Sequence, residues 1–143
     1  MGGTRARMIL VPDASAIATI LLPDEAGAAA DFTRALCRER HLFVPNHWSA
    51  EIANILWKAR RRERLDDALL AAALRIGAML ARTVTTVAEA PLDQIVTLAL
   101  SCGISAYDAA YIIAAQSQNA PLLTFDRRLA EAARSQEVET LIQ

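Results

Sequence analysis

Residues 104–128 read ISAYDAAYIIAAQSQNAPLLTFDRR, and the rest of the chain is organised around them. Tyr107, Tyr111, Ile112 and Ala115 recur at the spacing of one buried helical face, with Asp108 on or beside that face near the helix start. Residues 121–125 (PLLTF) form a short apolar run of strand character. Asp126 follows directly, and residues 127–134 read as a further short helix. Both carboxylates are thus aimed at the mouth of a core. An ionised acid tolerates such a place only beside a positive partner, usually a cation or metal.

Working outward, the chain repeats this arrangement. Residues 8–12 (MILVP) read as a short buried strand with Asp13 at its C-terminal end. A helix over 14–22 stops near Pro23, and a second covers 25–39. Residues 42–44 form another short strand, closed by Pro45. The helix predicted over 48–62 has Trp48, Ile52, Ile55 and Leu56 as its apolar stripe, with Glu51 on the same side. Then follow an alanine- and leucine-rich helix (65–81), a third strand (84–87), a helix over 92–102 ended by Gly103, and a last strand at 138–142. Strands and helices alternate, with one extra helical hairpin near the middle. The expectation is an α/β fold with a small, mostly parallel central sheet flanked by helices, residues 1–143 forming a single domain. In open parallel sheets ligands collect beyond the C-terminal strand ends, where Asp13 and Asp126 stand.

Bulk composition removes several function classes. The 143 residues are 54% hydrophobic and 22% charged, which suits one folded domain with a real core. No apolar run approaches the ~20 residues of a membrane helix. Arg5 and Arg7 precede an apolar run too short for a signal sequence, whose apolar region needs about 7–15 residues. Cys37 and Cys102 are isolated, forming neither a redox pair nor a zinc cluster, so a reducing, cytoplasmic setting is expected. A net charge of −1 means that any nucleic-acid contact must come from a local basic patch.

Apolar residues crowd four acids in particular: Asp13, Glu51, Asp108 and Asp126. Each has an ordinary structural explanation. Asp13 and Asp126 fit helix N-caps, Ser105 with Asp108 fits a capping box, and Glu51 suits a first-turn dipole. Taken together they also make an oxygen-only donor set without histidine, of the kind that Mg²⁺ or Mn²⁺ requires. A divalent ion at such a site serves phosphodiester hydrolysis, by acidifying water and engaging a phosphate oxygen.

The segments LVPDASAI, VPNHWSAEIANILWKA, ISAYDAAYIIAA and PLLTFDRRLAEAA resemble, in order and over nearly the whole chain, the four acidic motifs of the PIN-domain ribonucleases. The resemblance is specifically to the VapC-type toxins of bacterial and archaeal toxin–antitoxin pairs. It implies a PIN-like fold and a Mg²⁺- or Mn²⁺-dependent endoribonuclease. Asp13, Glu51, Asp108 and Asp126 would be the catalytic and metal-binding quartet, Asp13 and Asp108 the direct ligands. Glu51 and Asp126 would complete the site through water or a second ion. Ser15 and Thr124 match the hydroxyl positions beside the first and fourth acids, either orienting a carboxylate or water, or serving only as helix cap and strand former. The resemblance further implies an RNA substrate, a cognate VapB-like antitoxin and a homodimer. The competing reading is a catalytically weak PIN-like scaffold that binds RNA or a protein partner.

Arg127 and Arg128 stand next to Asp126, where they meet either a scissile phosphate or only solvent. The run Lys58, Arg60, Arg61, Arg62 and Arg64 suits either an RNA backbone or a solvated helix C-terminus. Trp48 is expected in the core; Trp57 suits either core or a partner-binding surface. His47, beside Trp48, reads as structural, and Tyr107 and Tyr111 as packing residues flanking Asp108.

Overall fold

The computed structural model describes residues 8–141. Arg5 and Arg7 therefore lie outside the described residues, as does Ile142 at the end of the expected last strand. The elements run β1 (Ile9–Pro12), α1 (Ala14–Leu21), a 3₁₀ turn (Pro23–Glu25), α2 (Ala28–Glu39), β2 (His41–Val44), α3 (Trp48–Arg61) and α4 (Asp67–Thr83). They continue with β3 (Thr85–Thr86), α5 (Leu92–Cys102), α6 (Ala106–Gln118), β4 (Leu122–Leu123), α7 (Arg127–Ser135) and β5 (Thr140–Leu141).

The five strands form one sheet in the order β3-β2-β1-β4-β5, and every pair is parallel. From β1 the chain moves outward to β2 and β3, then crosses back to place β4 on the other side of β1. The strand order therefore reverses between β1 and β4, the position at which open parallel sheets place their crevice, at the C-terminal strand ends. β1 pairs with β2 through Ile9↔His41 and Leu10↔Leu42, and with β4 through Val11↔Leu122 and Pro12↔Leu123. Pro12, which has no N–H, sits past the last β1–β2 pair and breaks no ladder bond.

Adjacent strand residues belong to different packing groups, as strand alternation requires. Val11 and Leu122 join Tyr111 and Ile112 of α6, while Leu10 and Leu123 pack with Phe32 and Leu36 of α2. Helix α6 is the central element: Ala109 and Tyr111 through Ala115 are all buried, and it packs on β1, β2, β4 and α5. It is capped by Ser105, whose Oγ accepts from the Asp108 N–H at 3.1 Å, and it ends on Asn119 at φ 49°. No single helix among the described residues is long and apolar enough to cross a membrane.

Several boundaries differ from the sequence reading. Helix α2, expected from Glu25, begins at Ala28, because Pro23–Glu25 form a 3₁₀ turn and Gly27 takes φ 149°. Helix α4 starts two residues late, at Asp67, because Asp66 is its N-cap and accepts from the Leu69 N–H at 2.7 Å. β3 shrinks to Thr85–Thr86 and β5 to Thr140–Leu141. β4 is only Leu122–Leu123, because the next two backbone N–H groups leave the ladder for side chains. Phe125 N–H donates to Ser15 Oγ and Asp126 N–H to Thr124 Oγ. Tyr107, expected on the buried face of its helix, is 63% exposed, while Tyr111 one turn on is buried.

Ile112 lies at the centre of α6 with no exposure. Ile112→Ala is expected to lower the free energy of unfolding by about 2–5 kcal/mol, read by urea denaturation. A smaller loss than for Ile→Val substitutions, about 1 kcal/mol, would show that α6 does not anchor the sheet.

Candidate functional site

Asp13 is held by three donors. Its Oδ1 accepts from the Ser15 hydroxyl at 2.7 Å and from the Ala16 N–H at 2.9 Å, the latter being the N-cap of α1. Its Oδ2 accepts from the Thr124 hydroxyl at 2.5 Å. Each hydroxyl in turn accepts a backbone N–H from the β4–α7 connection: Ser15 from Phe125 at 3.2 Å, Thr124 from Asp126 at 3.0 Å. Two small hydroxyls thus clasp the ends of β1 and β4 around one carboxylate. Asp13 is only 4% exposed, and burial outweighs its hydrogen bonds, with the charge of Asp108 adding to the effect. The carboxyl is pushed up to about 6.

Asp108 leaves the first turn of α6, half-buried. Its pKa is raised, first by burial and then by the negative charges of Asp126 and Glu51; Ser105 and His47 work the other way. Asp126 caps α7, its Oδ1 accepting from the Arg128 N–H at 2.9 Å and the Leu129 N–H at 3.3 Å. The capping explanations and the cluster therefore hold at once. Asp108 feels the charges of the other two acids, and Asp13 feels that of Asp108.

Glu51 comes from the first turn of α3. Its Oε1 stands 2.6 Å from His47 Nε2, and the His47 ring lies against both Tyr107 and Tyr111, each centroid 5.2 Å away. The His47–Glu51 contact is close but off-line for a hydrogen bond. Among the described residues, His47 Nε2, Glu51 Oε1, Trp48 Nε1 and the Tyr111 hydroxyl are buried without a hydrogen-bond partner. Burial and the nearby charges of Glu51 and Asp13 raise the Tyr111 phenol.

The PIN domain family model matches residues 10–135. The chain belongs to the PIN-domain family. It is 39% identical over 126 residues to ribonuclease VapC3 of Pyrobaculum aerophilum, covering 87% of this chain and 94% of that one. It is 36% identical over 93 residues to exonuclease VapC9 of the same organism, covering 64% and 68%. The crystal structure of PAE2754, also from Pyrobaculum aerophilum, superposes with a TM-score of 0.72 at 25% identity, covering 94% of this chain and 84% of that one.

In this PIN-domain protein the VapC-like motifs converge on the β1–β4 crevice. Arg127 is exposed beside it, whereas the Arg128 guanidinium donates to the Gly103 carbonyl at 2.6 Å and braces the α5–α6 loop. The basic run lies elsewhere, at the far end of α3, about 15 Å along the helix from Glu51. There Arg64 makes a bidentate pair with Asp24 at 2.7 and 2.9 Å, Arg60 pairs with Asp67, and Arg61 stacks over Trp57, which is 54% exposed. His47 is the residue that sequence reasoning set aside as structural. Its spacing of four from Glu51, on one side of a helix start, was the available signal.

A divalent cation suits this donor set. The side chains are oxygen-rich and like-charged, and Asp13 and Asp108 are penalised as anions. Asp13 is buried and Glu51 and Asp108 are half-buried, whereas Asp126, expected to face the core mouth, is exposed. As they stand, no three acidic, histidine or cysteine side chains among the described residues meet at ligand distance, as expected for carboxylates repelling one another.

The Asp13 shift has a checkable consequence. Its folded-state value of about 6 exceeds the ordinary 3.8, so the folded protein binds the proton more tightly between those values. Without divalent cation, stability should be highest below about pH 4 with respect to this group and fall as pH rises through about 6. The contribution is on the order of 2–3 kcal/mol. Asp13→Asn should remove most of that slope and raise the melting temperature in EDTA near neutral pH. Thermal unfolding of both proteins across this pH range checks it; parallel profiles would show that Asp13 is not the strained group.

Proposed function

We propose that this chain is a VapC-type endoribonuclease toxin that hydrolyses RNA phosphodiester bonds with Mg²⁺, or Mn²⁺, held by Asp13, Asp108, Glu51 and Asp126. The observation that carries the reading is the convergence of Asp13 and Asp108 from distant parts of the sequence into one desolvated, mutually repelling group at the sheet's reversal point. Asp13 and Asp108 are the direct ligands. Glu51 and Asp126, whose charges both reach Asp108, complete the site. A divalent cation there supplies Lewis acidity, screening the phosphate and making water a stronger acid.

The chain's own residues prepare the rest. A carboxylate offers about four acceptor positions, and three of Asp13's are filled by Ser15, Ala16 and Thr124, which leaves one in a fixed direction. Ser15 and Thr124 are therefore positioning residues. The backbone N–H groups at the start of α6 and α7 favour negative charge on Asp108 and Asp126 once a cation offsets their repulsion. Arg127, beside Asp126, is placed to meet a phosphate; Arg128 has one guanidinium nitrogen already engaged.

The toxin reading adds a VapB-like antitoxin and a homodimer. Large apolar side chains left uncovered on α4 and α5, among them Leu74, Met79, Leu92 and Leu100, support a chain that works against protein partners. The resemblance to an enzyme named as an exonuclease makes the cutting mode the discriminating question. A scaffold without activity is the weaker alternative, because all four acids are present and three of them electrostatically couple to Asp108.

Purified protein freed of any small partner, incubated with total RNA and with a circular RNA in Mg²⁺ or Mn²⁺, tests this. Discrete fragments and linearised circles are expected. Both should be lost in EDTA and reduced about a hundredfold or more by Asp108→Asn, with the fold unchanged by circular dichroism. Degradation of linear RNA alone would establish an exonuclease. Cutting that survives both controls would overturn the site.

A further inference from the structure

A cleft of about 420 Å³ opens beside the acid cluster, between the β3–α5 connection, α5 and α6. We propose that it is a subsite for one unpaired nucleobase flanking the scissile phosphate, with Tyr107 and His47 as the stacking platform. This inference rests on the nuclease reading and specifies the substrate for that same site.

Position is the first argument. Tyr107 and His47 line the cleft, and each adjoins an acid: Tyr107 precedes Asp108, and His47 Nε2 contacts Glu51. A strand whose phosphate reaches the acids therefore carries its neighbouring base to the cleft mouth. Chemistry is the second. The wall is apolar, from Val87, Leu92, Ile95 and Ile113, and among the described residues lining it there is no lysine or arginine, while Glu89 adds an acid. Such a surface rejects a phosphate and accepts a flat, neutral ring. Asn46 and Gln94 bring amide donors and acceptors of the kind that read base edges.

The third argument is Tyr107 itself. A tyrosine that is 63% exposed, on a helix that buries Ala109 and Tyr111 through Ala115, contributes little to the core. Its ring is inclined 55° to His47, so the two faces form an open corner and not a closed stack. Bases of single-stranded RNA stack on such exposed aromatic faces. The volume is at the lower end for small-ligand clefts, and suits a base but not a duplex.

The test uses the full chain carrying Asp108→Asn, so that RNA is bound and not cut, in Mg²⁺. Fluorescence anisotropy would follow two probes: a short labelled single-stranded RNA of mixed sequence, and an abasic ribose-phosphate oligomer of equal length. Tyr107→Ala should weaken RNA binding about tenfold and leave abasic binding unchanged, while Tyr107→Trp should keep RNA affinity within about twofold. Mn²⁺ affinity, read from the free-ion paramagnetic resonance signal with Asp108 intact, should be the same with Tyr107, Tyr107→Ala and Tyr107→Trp.

Equal loss for both probes, or no loss for either, would overturn the base subsite while leaving the nuclease reading intact. A concentration-dependent dimer in the parent that disappears in Tyr107→Ala, with RNA binding unchanged, would assign the cleft to a second copy instead. No binding of RNA by the parent would overturn the base subsite, and if the chain with Asp108 intact also fails to cut RNA, the nuclease reading falls with it.

Discussion

Everything at the crevice depends on how one buried carboxylate is satisfied. Asp13 terminates the central strand, starts α1, and takes hydrogen bonds from Ser15 and Thr124, whose own oxygens receive N–H groups from the opposite connection. An anion this deeply buried is costly unless its lone pairs are used. The same bonds that make it tolerable also close β4 after two residues and fix where Asp126 emerges. Strand length, helix capping and the position of a second acid are thus consequences of one polar clasp.

The clasp does not remove the strain among the acids. Asp13 and Asp108 are both held above the ordinary carboxylate range, chiefly by burial and further by their neighbours' charge. A protein selected only for stability would place a neutral or basic side chain among them. The like charges retained at the sheet's reversal point are the feature on which the proposed cation site rests. The buried atoms of His47, Trp48, Glu51 and Tyr111 that lack partners lie on the same side, at the start of α3 and on the facing turn of α6.

The molecule keeps its charges apart. Cations at the far end of α3 are tied to Asp24, Glu25 and Asp67, so they brace the turn before α2 and the start of α4. The acid end of α3 meets instead an aromatic corner and a largely apolar cleft whose lining includes no lysine or arginine among the described residues. Between them, α4 and α5 leave apolar side chains exposed: α4 buries only Ala73 and α5 buries none of its residues completely.

Sequence alone determined the class of fold and the list of acids. Alternating short apolar runs and amphipathic helices allow little besides a parallel α/β sheet. Asp13 and Asp126, standing after strands, mark the C-terminal edge of the sheet through local chain order. Segments with a clear period, such as those containing Ile52 or Ile112, are readable because helix and strand geometry repeats within a few residues. What the tertiary structure decided lies in contacts between segments far apart in sequence. The hydroxyls of Ser15 and Thr124, 109 positions apart, meet across the sheet, and this shortened β4 where its apolar run continued. Tyr107 is spaced as a core residue but is mostly exposed, because its neighbour from the rest of the fold is the His47 ring and not the core. His47 looked inert in isolation, because its meaning comes from Glu51 one turn on and from two tyrosines of α6 that only folding brings to it.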